Sequence, residues 1–281
     1  MTDSFRLAGV IGWPVSHSLS PRLHGRWLSE LGIAGAYVPL PVEPHALRAA
    51  IAGLKALGFA GANVTVPHKE AVLQLVDKLD PIAQAIGAAN TLVVADGKIE
   101  GRNTDAFGFI EHLKATEPAW RKKLGERPAL VLGAGGAARA VIYALVQESV
   151  AHIHIANRSA ERAAALALDL GGTSARVVPW DDRGDSVAEA GLIINTTSLG
   201  MRGHAALSLD LSTARAAIVY DLVYNPLETA LLKAARSRSL ATVDGLGMLI
   251  HQARGGFKAW FGADPKVTPE IHRWLAAALA G

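Results

Sequence analysis

A lysine stands just beyond a strand-like run in the first third of the chain. The run Asn63-Val64-Thr65-Val66 has the β-branched character of a buried strand, Pro67 ends it, and Lys69 follows two residues later. In α/β proteins ligands bind beyond the carboxyl ends of strands, so Lys69 stands where it could contact a ligand. An ordinary solvated lysine at a helix start would fit the same pattern, and the spacing alone leaves both interpretations open.

A glycine-rich turn later in the chain is typical of dinucleotide binding. The segment LVLGAGGAARA places Gly133, Gly135 and Ala138 between an apolar strand and a helix. The first glycine permits a tight turn, the second lets the backbone approach a pyrophosphate, and the small third residue allows close packing. A plain tight turn is the alternative, but the strand–turn–helix context favours a cofactor whose phosphates meet the helix start. The predicted contacts in this turn are Gly133, Ala134, Gly135, Gly136 and Ala137.

The next strand indicates which dinucleotide to expect. An NAD site keeps an acidic residue about 20 residues past the glycines, where it binds the ribose 2′-hydroxyl. The strand HIHIAN instead ends on Asn157, and Arg158 and Arg162 follow it. Guanidinium groups bind phosphate in a bidentate manner, whereas a helix start does not otherwise favour cations. We therefore predict NADP(H), although two solvated arginines at a helix start are the alternative.

Alternating strands and helices must position these residues. The first hundred residues alternate strand-like runs with amphipathic helical segments, of which KEAVLQLVDKL is one, and this βαβ pattern predicts a mainly parallel sheet. The charged segment 116–127 is a candidate linker, and at least five strand candidates follow it. The last helical segment has no strand to pair with, so we expect it to return to the first domain. The sequence thus predicts an α/β protein with two domains: residues 1–107 with 245–281, and a doubly wound Rossmann domain of residues 108–244.

Composition excludes several classes of protein. The chain has 281 residues, no cysteine and a formal charge of only +3, with 28 basic and 25 acidic residues interspersed. Disulfides, thiolate metal sites and cysteine nucleophiles are excluded, and no nucleic-acid footprint is supported. His152 and His154 share one strand face without an apparent third ligand, so no metal site is predicted. We expect no signal peptide, no membrane span and a cytoplasmic protein, either a monomer or a homodimer.

Eight stretches together make the chain similar to the shikimate dehydrogenase family over almost its full length. They are SHSLSP (16–21), NVTVPHK (63–69), NT (90–91), GRNTD (101–105), GAGGAAR (133–139), NRSAER (157–162), DLVYNP (221–226) and DGLGMLIHQA (244–253). The resemblance implies an oxidoreductase that reduces 3-dehydroshikimate to shikimate with NADPH, in the chorismate pathway to aromatic amino acids. It also implies that the first domain binds the substrate.

The resemblance assigns a catalytic pair. Lys69 and Asp105 resemble the family's catalytic residues. A lysine in a closed cleft can give or take the hydroxyl proton if desolvation lowers its pKa, whereas a neighbouring aspartate opposes that shift and orients the amine. From the residues alone, Asp105 would be a first-turn acid beside an Asn103 or Thr104 cap, favoured by the helix dipole.

Further residues are implied to bind the substrate. Ser18, Ser20 and Tyr224 resemble the groups that bind its carboxylate, and the residues that resemble the ring-hydroxyl contacts are Thr65, Asn90 and Gln252. From the residues alone, Ser20 before Pro21 predicts a helix N-cap, and Tyr224 could be a core aromatic at a strand end. Gln252 lies on an apolar helix, where a polar amide needs a partner.

The family pattern also extends the cofactor site and leaves two rivals. The implied contacts outside the glycine turn are Asn157, Arg158, Ser159, Arg162, Leu222 and Gly245. Ser159 keeps the hydroxyl of the family's threonine, and Leu222 stands where methionine is frequent. A dual quinate/shikimate dehydrogenase, usually linked to NAD, would be expected to carry an acid at Asn157-Arg158. A non-catalytic NADP sensor with the same fold could lose Lys69 or Asp105, yet both are present.

Overall fold

The computed structural model describes residues 5–280, so the ends of the predicted first domain at residues 1–4 and 281 lie outside it. The strands are β1 (Arg6–Gly12), β2 (Gly35–Pro41), β3 (Phe59–Val64), β4 (Lys78–Leu79), β5 (Thr91–Ala95), β6 (Lys98–Arg102), β7 (Ala129–Leu132), β8 (Ile153–Asn157), β9 (Ala175–Pro179), β10 (Leu192–Asn195), β11 (Ile218–Asp221) and β12 (Ala241–Val243).

The α-helices are α1 (Ser20–Glu30), α2 (Leu47–Ala56), α3 (Pro81–Ile86), α4 (Asp105–Thr116), α5 (Trp120–Leu124), α6 (Gly136–Gln147), α7 (Ala160–Leu166), α8 (Ala230–Ser237), α9 (Gly245–Phe261) and α10 (Pro269–Ala280). Short 3₁₀ segments cover Pro44–Ala46, Ala71–Leu75, Gly172–Ser174 and Asp181–Val187, and a π-helical turn covers Ala167–Gly171. Within residues 5–280, every helix is too short or too polar to cross a bilayer.

The chain folds as two compact units. The first unit extends to Asp105 and includes Leu249–Leu275, and the second comprises Ala106–Met248 with the residues from Ala276 onward. Most of the C-terminal helical segment, Leu249–Leu275, therefore belongs to the first unit. Two hydrogen bonds fasten it there: the Trp260 indole N–H donates to the Leu92 carbonyl at 2.8 Å, and the Arg6 guanidinium donates to the Trp260 carbonyl at 2.7 Å.

The first unit contains a six-stranded sheet in the order β2-β1-β3-β5-β6-β4. Strand β1 is parallel to β2 and β3, and β4 is parallel to β6, which confirms the mainly parallel sheet that the βαβ pattern predicts. Strand β5 is the exception, because it is antiparallel to both of its neighbours. Asp96 and Gly97 have φ of 51° and 70°, the left-handed conformation that a tight hairpin between β5 and β6 requires.

One predicted helix of the first unit is wrong. The segment KEAVLQLVDKL forms the 3₁₀ segment Ala71–Leu75 followed by strand β4. This part of the chain pairs with the edge of β6. The Asp77 N–H donates to the Ile99 carbonyl at 2.9 Å, and the Asp77 carboxylate accepts the Ile99 N–H at 2.6 Å. Pairing with a distant strand thus overrides the local helical pattern, which is a weak determinant on its own.

The second unit contains a fully parallel six-stranded sheet in the order β12-β11-β10-β7-β8-β9. Numbered within the unit, this order is 6-5-4-1-2-3, the doubly wound arrangement of dinucleotide-binding domains, so the predicted Rossmann fold is confirmed. The strand order reverses between β7 and β10, and ligands bind at such a reversal beyond the carboxyl ends of the strands. The four residues of β7 and those of β10 have no exposed surface.

An aromatic cluster packs α1 against α9 in the first unit. The His24 ring stacks on Tyr37 with centroids 3.9 Å apart, and Phe257 and Trp260 both lie 5.7 Å from it. His24 is fully buried, and neither ring nitrogen has a hydrogen-bond partner among residues 5–280. Burial lowers the pKa of His24 to about 3, so the ring is neutral and serves as an aromatic member of the core.

Candidate active site

Lys69 and Asp105 form a close ion pair in the first unit. Lys69 lies in the loop after β3, and Asp105 is the first residue of α4. The Lys69 Nζ lies 2.5 Å from Asp105 Oδ2, and the two side chains are only 15% and 6% exposed. This geometry excludes an ordinary solvated lysine at a helix start. The pair provides an ammonium group, partly accessible to solvent, that is held by a buried carboxylate.

Two asparagines hold Asp105 in place. The Asn103 side-chain oxygen accepts the Asp105 backbone N–H at 3.0 Å, and the Asn103 amide donates to the Ala88 carbonyl at 2.8 Å. Asn90 donates to Asp105 Oδ1 at 2.9 Å. Asp105 is therefore a first-turn acid beside an asparagine cap and the partner of Lys69 at the same time. One carboxylate oxygen faces an amide while the other faces the lysine.

Asn90 connects Asp105 to Gln252. The Asn90 amide nitrogen also lies 3.1 Å from Gln252 Oε1, and the Gln252 amide donates to the Leu249 carbonyl at 2.8 Å. Asn90 is 2% exposed and Gln252 7%, so both amides depend on these partners. Four of the predicted site residues, Lys69, Asp105, Asn90 and Gln252, are thus joined in one hydrogen-bonded chain.

The sequence prediction missed several members of this network. The Tyr37 hydroxyl donates to Asn63 Oδ1 at 2.6 Å, and the Asn63 amide donates at 3.1 Å both to the Asn90 carbonyl and to Thr91 Oγ1. The Thr104 N–H donates to Asn90 Oδ1 at 2.8 Å. Asn63 could have been found, because an asparagine inside an otherwise apolar buried strand must have a partner.

Ser18, Ser20 and Thr65 follow the neighbouring strands β1 and β3. Ser20 is wrongly predicted as the N-cap, since it is the first residue of α1 and its N–H donates to Ser18 Oγ at 3.3 Å. The Thr65 N–H donates to the Ile11 carbonyl at 2.8 Å. A Cβ at Gly12 would lie 2.4 Å from the Thr65 methyl group, so glycine is required where the two strand ends approach. All three hydroxyl residues therefore lie beyond the carboxyl edge of the sheet, and Lys69 lies beyond the same edge.

The glycine turn of the second unit has the form that a dinucleotide needs. Gly133 has φ of +114°, and a Cβ there would lie 2.5 Å from Thr196 Oγ1, so only glycine fits. Gly135 precedes α6, and a Cβ built on it meets no atom within 4 Å. Helix α6 begins at Gly136 without a side-chain cap. Open space before uncapped N–H groups suits the phosphates of NADP(H), which these residues would hold.

The end of β8 presents the residues predicted to select the cofactor. The Asn157 amide donates to the Ser159 carbonyl at 2.9 Å, and Ser159 caps α7 by accepting the Arg162 N–H at 3.3 Å. The Arg158 and Arg162 side chains are exposed. Since β8 pairs with β7, whose carboxyl end carries the glycine turn, both guanidinium groups belong to segments beside that turn. This arrangement fits a 2′-phosphate, and β8 ends on Asn157 where an NAD site would keep an acid.

The remaining predicted residues, Leu222, Tyr224 and Gly245, also belong to the second unit. The Leu222 N–H donates to the Asn195 carbonyl at 3.0 Å, which ties the loop after β11 to the end of β10. A Cβ at Gly245 would lie 2.1 Å from the Leu222 carbonyl oxygen. Glycine is therefore needed at this position for backbone packing. Tyr224 is partly buried in the same loop.

Two models of known protein families match parts of the chain. A family model described as "Shikimate dehydrogenase substrate binding domain" matches residues 10–92, and one described as "Shikimate / quinate 5-dehydrogenase" matches residues 117–202. The chain is 56% identical to the shikimate dehydrogenase (NADP(+)) of Paramagnetospirillum magneticum, over 98% of this chain and 99% of that protein.

Solved structures agree with this comparison. The structure of shikimate 5-dehydrogenase from Thermus thermophilus in complex with NADP(H) and shikimate is 37% identical, with a TM-score of 0.84 over 98% of this chain and 99% of that one. Quinate dehydrogenase from Corynebacterium glutamicum in complex with NAD is 32% identical, with a TM-score of 0.86 over 97% of this chain and 99% of that one. With relatives of this identity over nearly its whole length, the chain belongs to the shikimate dehydrogenase family.

Proposed function

We propose that this chain catalyses the reversible NADPH-dependent reduction of 3-dehydroshikimate to shikimate, a step of chorismate and aromatic amino acid biosynthesis. The observation that carries the proposal is the Lys69–Asp105 pair, 2.5 Å apart and joined through Asn90 to Gln252. A ketone and its alcohol interconvert only if a proton reaches or leaves the oxygen, and this pair is built to supply that proton.

Lys69 is the proton carrier in the proposed mechanism. NADPH, when bound, supplies a hydride to the carbonyl carbon. As negative charge develops on the carbonyl oxygen, the Lys69 ammonium donates one proton to it, and the resulting neutral amine regains a proton from solvent. In the reverse direction the neutral amine accepts the proton of the substrate hydroxyl. Asp105 fixes the direction of the Lys69 side chain, because its Oδ2 accepts the hydrogen bond from Nζ while Asn90 holds Oδ1.

Substrate binding completes the role of the first unit. Ser18, just before α1, and Ser20, its first residue, bind the substrate carboxylate, because hydroxyl donors and a helix N-terminus favour an anion. Tyr224 stays a prediction as a carboxylate ligand. The groups that contact the ring hydroxyls are Thr65, Asn90 and Gln252. In this proposal residues 1–107 with 245–281 form the substrate domain, and residues 108–244 form the NADP-binding domain.

The cofactor residues act by position and charge. The backbone around Gly133 and Gly135 holds the phosphates, and the residues that receive the 2′-phosphate are Asn157, Arg158, Ser159 and Arg162. Leu222 and Gly245 lie at the nicotinamide end. We further propose that the protein works in the cytoplasm, where NADPH-dependent biosynthesis takes place, as a monomer or a homodimer.

Quinate dehydrogenation with NAD is the second candidate, because a quinate dehydrogenase solved with NAD has the same fold. The discriminating observation is the end of β8, where Asn157 and Arg158 stand instead of an acid. One spectrophotometric assay separates the two, with shikimate and quinate each offered with NADP and with NAD, followed by nicotinamide absorbance. We expect shikimate with NADP to give the highest kcat/KM. A higher kcat/KM for quinate with NAD would overturn the proposal, and Lys69→Met protein serves as the blank for contaminating activity.

A further inference from the structure

A buried carboxylate in the second unit takes no part in the proposed chemistry. Asp221, the last residue of β11, has no exposed surface. Its Oδ1 accepts the Asn195 amide at 2.8 Å and the Val223 N–H at 3.0 Å, and its Oδ2 accepts the Thr229 hydroxyl at 2.7 Å. All three donors are neutral, and within residues 5–280 no lysine, arginine or histidine forms an ion pair with it. Three different segments therefore converge on one unpaired carboxylate.

The first segment leads from Asp221 to the glycine turn. Asn195 ends β10, and its side-chain oxygen accepts both the N–H and the hydroxyl of Thr197, at 3.0 and 2.7 Å. Between them, Thr196 donates its hydroxyl to the Leu132 carbonyl at 2.7 Å. Leu132 directly precedes Gly133, against which Thr196 also packs. The loop that Asp221 fixes through Asn195 is thus one wall of the glycine turn.

The other two segments form the loop after β11. The Val223 N–H lies between Leu222 and Tyr224, two residues of the proposed site. Thr229 caps α8 by accepting the Leu232 N–H at 3.2 Å while it donates to Asp221. Asp221 therefore binds both ends of the stretch 222–229. It accepts the Val223 N–H at the start of this stretch and the hydroxyl of the helix cap Thr229 at its end.

A buried aspartate at position 221 is unfavourable for the stability of the fold. Burial raises its pKa to about 6, although the bonds from Thr229, Val223 and Asn195 act in the opposite direction. A buried charge without a cation is unfavourable, and a neutral side chain of the same shape would avoid the cost. Residues that break such a rule in a folded domain are expected where function requires them.

We propose that Asp221 is a positioning residue, which ties the loops 195–199 and 222–229 to the ends of β10 and β11 and thereby sets the affinity for NADP(H). The inference extends the proposed function, and it concerns cofactor binding rather than proton transfer. An acceptor with two oxygens can hold Asn195, Val223 and Thr229 together. Asparagine at this position would keep the Oδ1 bonds but would present an N–H to the Thr229 hydroxyl.

The test combines Asp221→Asn with a matched set of threonine variants. Thr229→Val removes the hydroxyl that meets Asp221, and Thr229→Ser retains it. Thr268→Val removes another threonine cap, whose oxygen accepts the Ile271 N–H at 3.3 Å in the first unit. For each purified full-length protein, the NADP⁺ dissociation constant is measured by titration calorimetry without substrate, together with the thermal midpoint and the kcat and KM for shikimate oxidation.

We expect Asp221→Asn and Thr229→Val each to weaken NADP⁺ binding about tenfold, as is typical of changes transmitted through a packed network. The KM for NADP should rise in parallel, while Thr229→Ser and Thr268→Val stay within about twofold of wild type. The inference is overturned if NADP⁺ affinity is unchanged in Thr229→Val, or if Thr268→Val weakens it equally. Should Asp221→Asn not fold, the Thr229 set decides alone. A wild-type protein that binds NADP⁺ without oxidising shikimate would refute the proposed function. The NADP⁺ dissociation constants of the variants would still test the role of Asp221.

Discussion

Each unit of the protein contains a buried carboxylate that accepts a hydrogen bond from an asparagine. In the first unit Asn90 donates to Asp105 at 2.9 Å, and in the second Asn195 donates to Asp221 at 2.8 Å. The difference lies at the second oxygen. Asp105 faces the Lys69 ammonium, whereas Asp221 faces the Thr229 hydroxyl. The same carboxylate–asparagine arrangement can therefore serve proton transfer where a titratable cation faces it, and fix loop geometry where only neutral donors do.

Solvent access separates the two sites in the same way. The Lys69 side chain is 15% exposed, so its proton can exchange with water between turnovers. Asp221 has no exposed surface, and its hydrogen-bond partners Asn195, Val223 and Thr229 are all neutral. A proton-transfer group needs access to solvent, whereas a group that only positions loops is best buried.

Removing the cation of the first site should have the largest effect. Lys69→Met should lower kcat by a factor on the order of 10² to 10⁴, the usual contribution of a positioned proton-transfer group. The KM for shikimate should change far less. Steady-state oxidation of shikimate measures both, with Lys55→Met as the control, since Lys55 pairs with Asp77 on the surface. A Lys69→Met variant that keeps more than half of the wild-type kcat would refute the assignment of Lys69 as the proton carrier.

The arginines beside the second site should govern the choice of cofactor. Arg158→Ala with Arg162→Ala should raise the KM for NADP by about 100-fold, since each charged hydrogen bond contributes at least about 1.5 kcal/mol. The kcat with NAD should stay nearly unchanged, and the preference should weaken with salt. Adding Asn157→Asp should impair NADP use further and improve NAD use.

Two arginines at the C-terminal end of α8 provide a control for the loss of charge in that experiment. Arg236→Ala with Arg238→Ala removes the same number of positive charges from the same unit, and we expect its KM for NADP to stay near the wild-type value. If the variant at 158 and 162 retained its NADP preference, the 2′-phosphate would have to bind elsewhere.

Asp221 should make the stability of the protein depend on pH. Because its pKa is 3.8 in the unfolded chain and about 6 when buried, the folded state holds the extra proton between these values. The favourable contribution is complete below pH 3.8 and is lost as the pH rises through about 6, a difference of about 3 kcal/mol. Relative to wild type, Asp221→Asn should therefore gain unfolding free energy between pH 4 and pH 7, measured by urea denaturation.

Asp210→Asn provides the opposite case for that measurement. Bonds from Ser212 lower the pKa of the Asp210 carboxyl, which is on the surface. Its contribution is therefore present above its unfolded pKa and is lost as the pH falls, so Asp210→Asn should show no gain relative to wild type between pH 4 and pH 7. A relative stability of Asp221→Asn that does not rise over that range would contradict the burial argument.

The smallest effect should come from the outer end of the first network. Tyr37→Phe removes the hydroxyl that donates to Asn63. Asn63 is in turn linked to Asp105 by two hydrogen bonds, through Asn90. We expect kcat/KM for shikimate to fall only about threefold, within the range of changes that act through a network. Tyr143→Phe on α6 should have no such effect. A Tyr37→Phe variant with wild-type kcat/KM would restrict the functional network to Asn90 and its direct neighbours.

These two sites also show how far the sequence leads. Glycine spacing and the missing acid at Asn157 predict the Rossmann domain and its cofactor, because both depend on local geometry. The pairing of Lys69 with Asp105 followed only from family resemblance, since 36 residues separate them. The Asp221 site could not be predicted, because it depends on the register that sets Asn195 opposite Asp221 in β10 and β11.

In the proposed mechanism Lys69 and Asp105 act as one unit, and a double-mutant cycle tests this most directly. The kcat/KM for shikimate oxidation is measured for Lys69→Met, for Asp105→Asn and for the combined variant. If Asp105 acts by holding the Lys69 ammonium, little is left for it to do once the lysine is gone. The combined variant should then be within about threefold of Lys69→Met alone. A combined loss equal to the product of the two single losses would contradict the account, because the residues would then act independently.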